Sequence, residues 1–333
     1  MSPVTYRQSR VKYRFFVFCL WSMVYGLVFI SCAKPLYKDT FIVEGTYLEV
    51  TSPYKEASLI AYGEAKRLQE IFNFYDSQSE LSRLNNTYHV PFLLSEELLE
   101  LLKLSKNIIE LTNGAFDPSY GRLYSFWKDL IKKGHIEEFP SPEEVAKLKE
   151  IGGMQYIEID ERKKTILIKK EGLKIDLGGI ATGYIIDKIV GKLKEKGIDS
   201  ALINIGGDIY CLGKNNGKPW KVGVRSPEKG GILETKTLVD EAITTSGNYV
   251  QFFEFSGKRY SHLIDPRSGY PVESGIVSVS VIAKDCTTAD SLATGFFVMG
   301  LGEIKEFMAR NPSKAKVFVV RETNKKEQVY EFK

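Results

Sequence analysis

Beyond Gly153 the chain breaks into short runs with the alternation of β-strands, and this restricts the fold more than any other feature. "YIEID" and "TILIKK" flank "ERKK" and read as a hairpin. "ALINIGGDIYCLG", "WKVGVRS", "EAITTSG", "YVQFFEFSG", "IVSVSVIA" and "AKVFVVRE" read as further strands. Two helices interrupt them, one from Gly178-Gly179 to about Lys196 and one from about Thr287 to Met299. Ahead of this block, "FIVEGTYLEV" reads as a strand and "EASLIAYGEAKRLQEIFNFYD" as a helix. "SEELLELLKLSKNIIELT" reads as a second helix, capped by Ser95 and closed at Asn113-Gly114. "SPEEVAKLKEI" reads as a third, with Ser141 as cap and Pro142 in the first turn. Long helices ahead of mostly sequential strands imply an α+β fold built on mostly antiparallel sheets with packed helices.

The first apolar run, Phe15 to Ser31, carries no charge and follows Arg7, Arg10, Lys12 and Arg14. That is the build of a secretory signal or a short membrane anchor. Ser31 before Cys32, with Phe29-Ile30 upstream, resembles a bacterial lipobox, whose Cys carries the lipid. The chain is therefore expected to comprise a signal with lipobox over 1–32, a tether over 33–40 and a folded domain over 41–333. It would face outward from the cytoplasmic membrane, anchored through Cys32. An uncleaved single span is the alternative reading. Net charge is only +4, and most of that excess lies in the leader, so nothing suggests nucleic acid as a partner. Cys211 and Cys286 are the cysteines left in the folded part, and no CxxC, HExxH or Cys/His cluster points to zinc.

Several segments carry chemistry. "DLGGIATGYIID", Asp176 to Asp187, places glycines before a helix whose free N–H groups suit an anion, although a plain strand-to-helix turn has the same pattern. In "TTADSLATGFFVMG", Asp290 and Thr294 are four apart and share a helix face. A carboxylate and a hydroxyl so placed suit a hard cation such as Mg2+, and equally a first-turn carboxylate beside an inward Thr. "GAFDPSYG" sets Asp117 before a proline beside an aromatic suited to stacking on a planar ligand. "TTSGNY" and "NIGGDIYCLG" are polar, glycine-rich strand ends. "SHLIDPRSGYP" puts His262 at a strand end, where an imidazole is either a buried structural group or a base.

Taken together and in this order, "GTYLEV", "FYDSQSELSRLN", "TNGAFDP", "DLGGIATGYIID", "NIGGDIYCLG", "TTSGNY", "SHLIDPRSG" and "ADSLATGFFVMG" resemble the ApbE family of flavin transferases over nearly the whole chain after Cys32. The resemblance implies a Mg2+-dependent enzyme that moves the FMN half of FAD onto a Thr or Ser hydroxyl of an acceptor protein and releases AMP. Acceptors in the family are flavoprotein subunits of membrane electron-transport complexes. It implies metal ligation by Asp290 and Thr294 with main-chain oxygens of Ala181 and Ala293. It implies FAD contacts from Tyr75, Ala115, Phe116, Asp117, Gly178, Tyr184 and Ile264, and a proton-accepting role for His262. Thr182 and Glu44 depart from the family pattern, which often has Lys or Glu at the first and Met at the second. The rival readings are an FAD pyrophosphatase yielding FMN and AMP, and a flavin-binding lipoprotein without catalysis.

Overall fold

The computed structural model describes residues 34–43, 45–227, 231–248, 252–323 and 326–333. Its centre is an eight-stranded sheet whose strands follow one another in chain order, each antiparallel to the next. They are β1 (Tyr37–Val43), β2 (Thr46–Ser52), β3 (Ala201–Ile205), β4 (Asp208–Leu212), β5 (Glu241–Gly247), β6 (Ile276–Ala283), β7 (Lys316–Thr323) and β8 (Lys326–Phe332). The mixed α+β class with antiparallel sheet is as expected from the sequence.

Where the sequence suggests one strand over "FIVEGTYLEV", the structure has the end of β1, a turn with Gly45 at φ 74°, and β2. Phe41 pairs with Leu48 across this hairpin. Residues 37–40 belong to β1, so the tether expected over 33–40 is shorter than the sequence suggests. "ALINIGGDIYCLG" likewise folds back on itself as β3 and β4. Gly206 and Gly207 both have positive φ (62° and 113°), which a two-residue hairpin turn of matching twist requires.

Seven helices are found among the described residues. They are α1 (Ala57–Phe72), α2 (Glu80–Leu84), α3 (Glu96–Leu111), α4 (Gly121–Lys133), α5 (Pro142–Ile151), α6 (Ala181–Glu195) and α7 (Cys286–Arg310). The expected caps are present: Ser95 accepts from Leu98 N–H at 3.2 Å and Ser141 from Glu144 N–H at 3.2 Å. α7 breaks at Gly300, φ 76°, which explains a sequence pattern that ends at Met299. None of the described helices is long and apolar enough to cross a membrane.

One face of the sheet, with Val50, Ile203, Tyr210, Ala242 and Val281, packs against α1, α6 and α7 in the main core. The other face, with Cys211, Ile243, Ile282 and Phe318, lies under the hairpin Trp220–Arg225/Ile232–Leu238. Cys211 and Cys286 thus sit in different cores as separate thiols. A third cluster joins α4 and α5 to the hairpin Phe252–Phe255/Lys258–Ser261, with Trp127 stacked on Phe253 and Phe253 stacked on Tyr260. These aromatic contacts hold the strand that leads into His262.

Candidate active site

Two glycines let α6 approach α7 closely. A Cβ at Gly183 would fall 2.3 Å from the Cys286 carbonyl oxygen and 2.9 Å from Asp290 Cβ, and one at Gly179 would fall 3.1 Å from Thr294 Oγ1. The Gly183 N–H donates to Asp290 Oδ2 at 3.0 Å, so a first-turn amide of α6 faces the buried carboxylate. Thr294, one turn further along α7, lies with its hydroxyl 3.3 Å from Ser246 Oγ on β5. The structure therefore gathers the Asp290/Thr294 face, the Gly178–Ala181 turn and the end of β5 at one place. Ala293 lies between Asp290 and Thr294 in the buried part of α7, and Ala181 is the first residue of α6. Among the described residues no three His, Cys, Asp or Glu side chains cluster as a metal cage. An oxygen set of one carboxylate, hydroxyls and peptide groups fits a hard cation that completes its shell with water and phosphate, as Mg2+ does.

Asp208, at the start of β4 and inside the segment "NIGGDIYCLG", belongs to this neighbourhood, although the sequence reading names the segment and not this residue. Burial pushes its carboxyl well above the ordinary range, the Asp290 carboxylate pushes it further, and a hydrogen bond from the Thr245 backbone pulls it back. The signal for it was an acidic residue directly after a two-glycine turn.

Beside this place lies the segment Ala115–Asp117. A Cβ on Gly179 would also meet Phe116 Cε2 at 3.3 Å, and the Phe116 N–H donates to Thr112 Oγ1 at 3.2 Å. Asp117 accepts from Ser119 N–H (2.9 Å) and Ser119 Oγ (2.6 Å), while burial raises its carboxyl despite those bonds. The Asp176 N–H donates to Pro118 O at 2.8 Å, which ties this segment to the glycine turn. Asp176 in turn accepts from Gly178 N–H at 2.9 Å and from Lys128 Nζ at 2.7 Å. Burial lowers the Lys128 ammonium, but the Asp176 charge and hydrogen bond more than offset it, so it stays protonated. Lys128 Nζ also lies 6.0 Å from the ring centroid of Tyr75, which is 69% exposed. The sequence reading does not single out Lys128, which lies on α4, and names Asp176 only as the first residue of the glycine segment.

Partly buried His262 follows the strand Lys258–Ser261. Its backbone is pinned on either side, since Leu263 N–H donates to Ser261 Oγ (3.0 Å) and Val272 N–H to Leu263 O (2.9 Å). Ile264 is buried against α4 in the aromatic cluster. Arg267 is not aimed at a ligand: it forks onto Asp265 (3.0 Å) and reaches Glu303 of α7 at 2.8 Å. The side chain of Tyr184 is directed elsewhere, with its hydroxyl on Glu100 at 2.6 Å and its ring edge-on to Phe72. It lines a separate groove of about 870 Å³ with Arg67, Lys188 and Asp187. Glu44 lies outside the described residues, as do Cys32 and the whole apolar run before it.

The sequence profile of the ApbE family matches residues 44–319. The chain is 36% identical over 230 residues to an FAD:protein FMN transferase of Vibrio cholerae, covering 68% of each protein. It is 29% identical over 308 residues to the Escherichia coli K12 protein of the same name, covering 86% of this chain and 87% of the other. Among solved structures, the flavin transferase ApbE from Vibrio cholerae superposes with a TM-score of 0.78 at 28% identity, over 90% of this chain and 98% of that one. The ApbE protein from Thermotoga maritima gives 0.80 at 30% identity, over 90% and 97%.

Proposed function

This chain belongs to the ApbE family, and on that footing we propose that it is a Mg2+-dependent flavin transferase acting on FAD and a hydroxyl of an acceptor flavoprotein. The observation that carries the reading is the seam between α6 and α7, where the Gly183 amide, the Asp290 carboxylate and the Thr294 hydroxyl meet beside an exposed glycine turn. A pyrophosphate laid over Gly178 would lie at the N-terminus of α6, whose positive dipole end favours an anion, while the Ala181 and Gly183 amides donate to Leu177 O and Asp290. The Lys128 ammonium supplies a further positive charge near the same turn. Asp290, Thr294 and the Ala181 and Ala293 carbonyls would hold Mg2+, which supplies charge neutralisation across the pyrophosphate when bound. The exposed Tyr75 ring would stack on a flat ring of FAD, and Phe116 and Asp117 would add further contacts.

In the reaction the acceptor Ser or Thr oxygen forms a bond to the FMN phosphorus as the bond from that phosphorus to the bridging oxygen breaks. The bridging oxygen leaves with AMP, and the acceptor hydroxyl gives its proton to His262. A base near working pH typically contributes about 10²–10⁴-fold to such a step. In the hydrolytic variant, water takes the place of the acceptor hydroxyl, and Asp290 and His262 act as before.

We further infer an outward-facing lipoprotein anchored at Cys32, meeting acceptor subunits of membrane electron-transport complexes. What supports this is the uncharged run Phe15–Ser31 behind a basic flank. The functional test is AMP release from FAD by the full chain, with and without an acceptor domain. The expected result is AMP that depends on acceptor and on Mg2+ and is lost in Asp290→Ala. AMP released equally fast without acceptor would favour the hydrolase.

A further inference from the structure

β4 and β5 run antiparallel with Tyr210 opposite Ala242 and Ile209 opposite Ile243. Extending that register by one pair sets Asp208 across from Thr244. Alternation along a strand then fixes their face. Ile209 and Ile243 belong to the side under the hairpin, whereas Tyr210 and Ala242 belong to the core that α7 covers. Asp208 and Thr244 therefore share the α7 side with Ser246, whose hydroxyl meets Thr294. Thr244 is 1% exposed, and its Oγ1 is one of two buried side-chain polar atoms among the described residues that have no hydrogen-bond partner.

This combination is unfavourable for a purely structural role. Two carboxylates facing one water-poor space repel each other, and a buried hydroxyl without a partner forfeits its hydration. An apolar pair would pack there at lower cost. A hard divalent cation reverses the balance, because it draws oxygen ligands from several elements at once.

We propose that Asp208 is a second carboxylate of the cation site, reaching from the sheet side to the ion that Asp290 and Thr294 hold from α7, with the Thr244 hydroxyl in the same oxygen shell. The proposal rests on the flavin-transferase reading, which supplies the cation. It makes the site a clamp between β4, β5 and α7, so cation binding stiffens that junction.

The test is a Mn2+ titration of the full chain followed by electron paramagnetic resonance of the free ion, together with thermal melting in EDTA. Wild type is compared with Asp208→Asn, Thr244→Val and Asp290→Asn. Asp208→Asn is expected to weaken Mn2+ binding about 10- to 100-fold and Thr244→Val by a smaller factor. In EDTA both are expected to melt at or above the wild-type temperature, because repulsion and the unpaired hydroxyl are removed. Asp208→Asn that binds Mn2+ like wild type, while Asp290→Asn does not, overturns the assignment and leaves the transferase reading intact. A wild type that binds no Mn2+, with or without FAD, overturns both. Should Asp208→Asn fail to fold, unchanged Mn2+ affinity in Thr244→Val overturns the proposal by itself.

Discussion

Replacing Gly183 by Ala should destabilise the protein even though Ala is the better helix former. The added methyl would stand 2.3 Å from the Cys286 carbonyl oxygen and 2.7 Å from its carbon, and both are backbone atoms that no rotamer change can move aside. Overpacking of this kind costs about 1–3 kcal/mol. Moving α6 away to relieve it stretches the 3.0 Å bond from Gly183 N–H to Asp290, and hydrogen bonds to charged groups contribute about 1.5–3 kcal/mol. These are alternative routes to the same relief, and the gain in helix propensity returns roughly 1 kcal/mol, leaving a net loss of about 1–2 kcal/mol. Gly191 is the control: it lies in the same helix, and a Cβ there would have nothing within 4 Å, so Gly191→Ala should stabilise by roughly 1 kcal/mol. Urea unfolding of the full chain gives both values, and AMP release from FAD should fall in the first variant only. A Gly183→Ala protein as stable and active as wild type would refute the close α6–α7 seam on which the site depends.

His262→Ala is expected to reduce transfer about 10²–10⁴-fold while FAD still binds, which fluorescence titration beside a transfer assay would check. Asp187 accepts three hydrogen bonds from Cys286 and Thr287, yet burial pushes its carboxyl up to about 6. Its folded value lies above the unfolded one, so its contribution to stability is fully present below about pH 4 and is lost as pH rises through 6. The wild-type stability minus that of Asp187→Asn, measured in EDTA, should fall across this window by up to about 3 kcal/mol, and a flat difference would contradict the burial argument. Cys32→Ser should move the protein from the membrane fraction to the soluble one, as fractionation and immunoblotting would report.

Much of this was legible in the sequence wherever local chemistry decides structure. Ser95 and Ser141 marked helix starts because a hydroxyl cap satisfies a free amide within three residues. Asp290 and Thr294 could be assigned to one face because helical spacing is fixed. α4, "GRLYSFWKDLIKK", was harder: Tyr120 at its N-cap makes no side-chain cap, and its aromatics are spread among several contacts. With α4 went Lys128, whose partner Asp176 comes from a distant loop. β8, "KEQVYEF", is an edge strand without regular alternation, so its pattern gives a weak signal. Asp208 and Thr244 come to the α7 side of the sheet only through sheet register and helix packing, which are long-range outcomes that no spacing rule contains.

In the proposed function Asp290 anchors a cation-dependent transfer of FMN to a protein hydroxyl. The most direct measurement is the intact mass of an acceptor domain after incubation with the full chain, FAD and Mg2+. A mass gain of one FMN is expected with wild type, and none with EDTA or with Asp290→Ala. An unmodified acceptor alongside released AMP, or a mass gain that persists in Asp290→Ala, would contradict it.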